Sequence, residues 1–253
     1  MWYIGQSGFV FKHGDQKIAI DLVLSDLKDQ DGKTRRYYEV PFPPERLVVD
    51  VVLCTHGHRD HYDKKTILGL YQANPKIRII VPEGIVQTLI EDGIPNENIV
   101  GLNDGEHAAF EDIRISAFSA AHPEILKDEQ GKDLNLGYEM EIGPAKIVHL
   151  GDTLLCEQLI DHLQTMEAPD CMIVPINGQD YFRTARNCIG NLSAYEAVMA
   201  GKMTRARQLI PCHYDMIMGN TCSVLDFVSN MEEHYPEGGI ALPRLGERLI
   251  YKK

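Results

Sequence analysis

The densest chemistry in this sequence lies in ten residues. The stretch CTHGHRDHYD, residues 54 to 63, holds three histidines and two aspartates directly after the apolar run VVDVVL. An extended chain sends alternate side chains to one face, so His56 and His58 can address a common point from the end of a strand. The chain must then turn, and Asp60 with His61 can address a second point a few ångströms away. Imidazoles and carboxylates crowded at a strand end would repel and desolvate one another unless cations neutralised them. The spacing therefore points to one or two divalent metal ions. Asp63 fits better as the N-cap of the helix that follows, with its carboxylate on that helix's free amides, than as a ligand.

Metal coordination needs more donors than this run supplies. Three further segments place one directly after an apolar strand: SAAHPE with His122, IVHLGD with Asp152 and IPCHYD with His213. A lone histidine after a strand ordinarily packs in the core or faces solvent, and only the company of HGHRDH makes these three ligand candidates. His122 would complete the first site and His213 the second, while the two oxygens of Asp152 can bridge two ions. His149 is the fallback if His122 fails. His13, His107, His162 and His234 read as surface residues.

The elements that must hold these groups in place follow from hydrophobic period and breakers. FVFK, KIAIDLVL, VVDVVLCT, IRIIVP, NIVGL and IRISAFSA predict strands in the first 120 residues, and LGYEMEI, AKIVHLGD, CMIVPI and QLIPCHY predict more in the second half. Helical spacing covers residues 64 to 74, 84 to 93, 156 to 166, 192 to 203 and 223 to 235. Interleaved strands and helices indicate a mixed α/β class, and with no internal repeat or linker, residues 1 to 253 read as one domain. The polar segment 25 to 46 interrupts two apolar strands at a length unusual for a plain connection, and reads as a lid or interface loop.

Bulk properties narrow the function. The chain carries 25 Lys plus Arg against 37 Asp plus Glu, a net charge of −12, which disfavours nucleic acid and anionic membranes as partners. No apolar run approaches the roughly 20 residues needed to span a bilayer. The six cysteines are scattered without a CxxC pair and the N-terminus lacks a signal-peptide pattern, so a cytoplasmic location with free thiols is expected.

HGHRDH at 56 to 61, His122, Gly151–Asp152 and His213, in that order, resemble the metallo-β-lactamase superfamily. The resemblance implies a four-layer αβ/βα sandwich, two mixed sheets face to face with helices outside and metals at one edge. It assigns His56, His58 and His122 to one ion, Asp60, His61 and His213 to the other, and Asp152 with a hydroxide to the bridge. A narrower resemblance rests on PINGQDYFRTARNCIGNLSAYEA, 175 to 197, and PCHYDMIMGNT, 211 to 221, which look like the L-ascorbate-6-phosphate lactonases. That family opens L-ascorbate 6-phosphate to 3-keto-L-gulonate 6-phosphate, typically with manganese. The residues agree in part: Arg183 and Arg186, three apart, could share a helical face and grip a phosphate beside Asn187 and Asn191, or could simply pair with surface acids.

The expected chemistry is hydrolysis. A divalent ion lowers the pKa of bound water from about 15.7 towards about 7, making hydroxide available to attack a lactone carbonyl. Asp60 and Asp152 are the catalytic candidates, Asp60 to orient the water or pass a proton to the leaving alkoxide. Nitrogen and oxygen ligands suit manganese or zinc without choosing between them, or between one ion and two. A small phosphorylated sugar lactone is the expected substrate, and a homo-oligomer is left open. The alternatives are a phosphodiesterase or ribonuclease using the same ligands, and a metal-holding regulatory protein without turnover.

Overall fold

The computed structural model describes residues 1–251. Six strands, β1 (Trp2–Gly5), β2 (Gly8–His13), β3 (Gln16–Ile20), β4 (Val51–Leu53), β5 (Arg78–Pro82) and β6 (Ile99–Leu102), form one sheet in sequence order. A second sheet of seven runs β7 (His107–Phe110), β8 (Ile113–Ser119), β9 (Leu136–Ile142), β10 (Ala145–His149), β11 (Cys171–Pro175), β12 (Gln208–Cys212) and β13 (Gly239–Ile240), again adjacent in chain order. Each sheet begins antiparallel, as β1–β2–β3 and β7–β8–β9–β10, and ends parallel, as β3–β4–β5–β6 and β10–β11–β12–β13. Both are mixed sheets, and helices cover the outer face of each.

The two-residue side-chain period explains the layers. Ile18, Ile20, Val51, Leu53 and Ile80 of the first sheet face Ile113, Ile115, Ile147, Ile173 and Ile210 of the second in one buried cluster between the sheets. The alternate residues Ala19, Val52, Ile79 and Val81 point outward onto α1 (Lys64–Ala73) and α2 (Val86–Glu91) through Ile67, Leu70 and Leu89. On the far side Val148, Met172, Val174 and Leu209 meet α3 (Glu157–Thr165), α5 (Ala194–Thr204) and α6 (Val224–His234), while α4 (Tyr181–Thr184) is a single exposed turn. Strands buried on both faces must be apolar throughout, which is why VVL, RIIVP and CMIVP read as continuous runs. The result is the four-layer α/β sandwich that the resemblance implied.

Elements begin where side chains can satisfy free amides. Asp63 caps α1 by accepting from the Lys65 amide, as expected, and also accepts from Ser25 Oγ at 2.9 Å. Ser193 and Glu196 form a reciprocal capping box on α5. The predicted strand KIAIDLVL is shorter than its apolar pattern: pairing in β3 stops at Ile20, because Asp21 takes a positive φ of 48° and turns the chain out of the sheet. From there to β4 the only helical turn is Pro44–Arg46, so segment 25 to 46 is a long loop lying over one edge of the sandwich. Strands β1, β7 and β13 escaped the sequence reading, being only two to four residues long. Among the described residues no helix is long and apolar enough to cross a membrane.

Candidate metal centre

All seven expected side chains converge at one edge of the sandwich. His56, His58, Asp60 and His61 follow β4 in the first sheet, and His122, Asp152 and His213 follow β8, β10 and β12 in the second. After β4 the chain makes a tight turn in which the His61 and Tyr62 amides both donate to the His58 carbonyl, at 2.9 and 2.7 Å. That turn swings Asp60 and His61 to a second point beside the first. Gly151 sits at φ 65°, and an added Cβ would stand 2.8 Å from the Leu136 carbonyl oxygen and 3.0 Å from Thr55 Cβ. Only glycine lets β10 bring Asp152 this close to β4.

Three trios of donor atoms lie mutually within 4.8 Å: His56, His58 and His122; His56, His61 and Asp152; and Asp60, His61 and His213. Asp152 spans the groups, with Oδ1 at 3.2 Å from His61 Nε2 and Oδ2 at 3.1 Å from His213 Nε2 and 3.7 Å from His122 Nε2. Asp60 Oδ2 lies 3.3 Å from His213 Nε2 and 3.8 Å from His61 Nε2.

The donor set fits a divalent cation on an observation independent of any family. His56 Nε2, His61 Nε2 and Asp152 Oδ1 are buried, face a common space and make no hydrogen bond. Buried polar atoms without partners are costly and rare. The opposite ring nitrogens of both histidines are held, His56 Nδ1 by Thr55 Oγ1 at 3.1 Å and His61 Nδ1 by Asp21 Oδ2 at 2.7 Å. With Nδ1 of His61 donating to a carboxylate, its Nε2 lone pair is aimed into the site, the arrangement that orients metal-binding histidines. Asp21 is itself fully buried and accepts from the Thr55 amide and hydroxyl, both at 2.8 Å.

Electrostatics point the same way. Burial alone would raise the Asp152 carboxyl, but His213 and His61 outweigh it and hold it well below the ordinary carboxylate range. Burial likewise opposes ionisation of Asp60, and His61 and His213 overcome it. The His213 imidazole, which burial would lower, is pushed up to about 9 chiefly by Asp152, and His61 is raised well above its ordinary value by Asp152 and Asp21. His56 and His122 are lowered by burial and stay neutral, the form that binds metal. The Asp60–Asp152 side of the cluster thus holds positive charge strongly, whether protons or a metal ion supply it.

A cavity of about 850 Å³ opens onto these groups, walled by His58, Asp60, His122, Asp152 and His213 and, across from them, by residues of the long loop: Leu27 to Asp31 and Arg35. Of the four side chains expected to grip an anion, Asn187 lies in this wall and the other three do not. Arg183 is spent on structure: it pairs with Asp180, donates to Asn220 Oδ1 at 3.0 Å and to the Asn177 carbonyl at 2.7 Å. Arg186 bonds the Phe182 carbonyl at the surface, and Asn191 is buried with its amide on Asn177 Oδ1 at 3.0 Å. The cations that do line the cavity are Lys28, Arg35 and Arg59. Arg59 sits inside the HGHRDH run and Arg35 inside the loop read as a lid; both were within view, yet neither is distinguished by a pattern.

Two further histidines have structural partners. His149 is buried beneath the site as structure, its Nε2 on the Ser7 carbonyl at 2.9 Å and its Nδ1 accepting from the Gly151 amide at 3.0 Å. His162, read as a plain surface residue, instead stacks on Phe118 with centroids 4.6 Å apart and lies 3.0 Å from Glu139. Two contributors were missed altogether, Asp21 and Gln6. Asp21 had a signal, a single acid inside the apolar run KIAIDLVL, since a buried carboxylate must have partners.

Comparison with known proteins agrees with the geometry. The sequence model of the family described as Beta-lactamase superfamily domain matches residues 17–214. A UPF0173 metal-dependent hydrolase of Archaeoglobus fulgidus is 27% identical over 219 residues, covering 84% of this chain and 82% of the relative. Another, from Thermoplasma acidophilum, is 28% identical over 172 residues, 68% of each chain. Among solved structures, the metallo hydrolase Igni18 of Ignicoccus hospitalis has a TM-score of 0.74 at 19% identity, with 99% of this chain and 97% of that one covered. An isothiocyanate hydrolase from Delia radicum gut bacteria has a TM-score of 0.76 at 20% identity, with 99% and 98% covered. At such identities the structural likeness speaks for the fold alone.

Proposed function

The chain belongs to the beta-lactamase superfamily, and on that premise we propose that it is a metal-dependent hydrolase whose preferred substrate is a small anionic ester: the lactone ring of a phosphorylated sugar acid, with L-ascorbate 6-phosphate the foremost candidate. One observation carries the reading. His56 and His61 from the first sheet and Asp152 from the second bring buried donor atoms within 4.8 Å of one another, and none of the three makes a hydrogen bond.

The residues that would hold metal are His56, His58 and His122 on one side, Asp60, His61 and His213 on the other, and Asp152 between. A divalent ion bound there supplies Lewis acidity and acidifies a water molecule to a pKa of about 7. The protein's own groups then divide the work. Asp60, 22% exposed at the cavity wall and held ionised, is placed to accept a hydrogen bond from an attacking water and orient it.

Support for an anionic substrate comes from the cations of the wall. Arg59 uses one donor on the Lys28 carbonyl at 3.5 Å and Arg35 one on the Met218 carbonyl at 2.8 Å, and neither has an ion pair among the described residues. Four of the five N–H donors of each guanidinium remain for a phosphate. Asp29 and Asp31 share the wall, and the Asp29 Oδ1 accepts from the Asp31 and Lys33 amides. On this reading Arg35 and Arg59, rather than Arg183 and Arg186, would grip the phosphate.

The test is turnover of the metal-loaded protein on L-ascorbate 6-phosphate, on the same lactone without phosphate, and on bis(p-nitrophenyl) phosphate. Arg35→Ala or Arg59→Ala is expected to raise KM for the phosphorylated lactone about tenfold, as loss of one exposed charge-assisted contact should. KM for the unphosphorylated lactone should move less than twofold. An equal rise on both lactones would remove the clamp, and cleavage of the phosphodiester alone would select the phosphodiesterase instead.

A further inference from the structure

Gln6 occupies a position that no ligand pattern includes. It lies in the turn between β1 and β2, at φ 56° beside Gly5 at φ 98°, and is fully buried. Its backbone is fixed from the second sheet: the His213 amide donates to the Gln6 carbonyl at 2.8 Å. Tyr3 and Tyr38 brace the neighbourhood through Asp215, donating to Oδ1 at 2.8 and 3.3 Å. A glutamine in left-handed backbone is an unfavourable choice for a plain turn, where glycine or asparagine would cost less.

The side chain reaches the cluster itself. Nε2 is 2.8 Å from Asp60 Oδ2 and 2.9 Å from His213 Nε2, the two donor atoms that stand 3.3 Å apart on the second side of the site. At the other end of the same carboxamide, Oε1 is buried and has no partner. An orphaned amide oxygen beside a cluster of cation donors is anomalous as structure and useful as chemistry. The torsion that exchanges Nε2 and Oε1 is a soft one with broad minima.

We propose that Gln6 is part of the metal centre: when Asp60, His61 and His213 hold a cation, the Gln6 carboxamide turns and presents Oε1 to it as a neutral oxygen ligand. A cation on Asp60 Oδ2 and His213 Nε2 takes the Asp60 lone pair to which the amide N–H donates and replaces the proton on His213, so the donor end loses its partner as the acceptor end gains one. The exchange satisfies Oε1, which otherwise stays unpaired. It also adds a ligand without adding negative charge to a site that already holds Asp60 and Asp152. The inference rests on the metal-centre reading given above.

The test separates the two claims. Metal-stripped full-length protein is titrated with Co²⁺, following visible absorption and the heat of binding, in a His58→Ala background that disables the other side of the site. If protein with Gln6 in place takes up no Co²⁺, the metal-centre reading itself fails. Given uptake, Gln6→Ala is expected to raise the Kd about tenfold, in the range seen for loss of groups that support a metal site, and to change the visible bands. Gln6→Glu keeps the reach and the oxygen but loses the N–H donors, and should bind within about threefold of Gln6 or tighter. Both variants keep a Cβ in the same backbone region, so a shared loss of fold would show equally in their circular dichroism. An unchanged Kd in Gln6→Ala overturns the proposal. So does a Gln6→Glu that loses affinity as far as Gln6→Ala, because that pattern means the amide acts only as a donor to Asp60.

Discussion

At the scale of single residues, the site depends on groups outside the cluster of donors itself. Asp21 fixes the tautomer and direction of His61 through a 2.7 Å bond to Nδ1, and is itself fixed by two bonds from Thr55. Asp21→Asn keeps the shape but gives His61 a neutral partner, so the imidazole is a weaker base and less firmly aimed. Metal affinity should fall about 10–100-fold, the usual range for removing such a partner. Isothermal titration with Mn²⁺ or Zn²⁺ measures it directly, and an affinity within twofold of the parent would mean that His61 is oriented by packing alone. Asp21 was hard to find from sequence because its importance comes from β3 lying beside β4, a pairing that the pattern KIAIDLVL does not encode. His56, His58, Asp60 and His61 were legible because their role is local: two-residue period, strand end and turn all lie in one short run.

At the scale of elements, the long strands and helices were legible, and the shortest elements and the allocation of polar side chains were not. Continuous apolar runs mark strands covered on both faces, so β4, β5 and β11 stand out, and ligands that directly follow such strands inherit that clarity. Arg183 and Arg186 stand outside the cavity wall for a local reason. Asp180 caps α4 through the Phe182 and Arg183 amides, and its carboxylate also captures the Arg183 side chain one turn on. Asp63 illustrates the opposite outcome, since reading it as a cap rather than a ligand needed only the start of α1. Asp63→Ala should cost about 1–2 kcal/mol, the worth of a helix cap. For a chain of this size that lowers Tm by about 2–8 °C. Metal stoichiometry by atomic emission should be unchanged, and Asp63→Ser should recover part of the Tm. A variant that lost an equivalent of metal at unchanged Tm would place Asp63 among the ligands.

At the scale of the whole molecule, the metal centre is also a joint. Four of its candidate donors follow a strand of the first sheet and three follow strands of the second, so a cation there would tie the sheets together at one edge. Elsewhere the apolar cluster between the sheets does that work without direction, whereas coordination would fix how the two edges meet. The buried acids Asp21 and Asp152 lie in a chain of net charge −12, so the edge gains from any cation that neutralises them. Because the unfolded chain cannot assemble donors so far apart in sequence, binding should stabilise the fold by mass action, about 2.7 kcal/mol at a free metal concentration of 100 times Kd. That corresponds to a rise in Tm of about 5–11 °C over protein kept in excess chelator. The rise should grow with the logarithm of metal concentration, and it should shrink in His56→Ala and His213→Ala, each of which removes a donor from one sheet. Scanning calorimetry across a series of buffered Mn²⁺ or Zn²⁺ concentrations reads this without any substrate. A Tm indifferent to both metal and chelator would mean that the edge holds together without coordination, leaving the buried Nε2 atoms of His56 and His61, which make no hydrogen bond, without a physical reason.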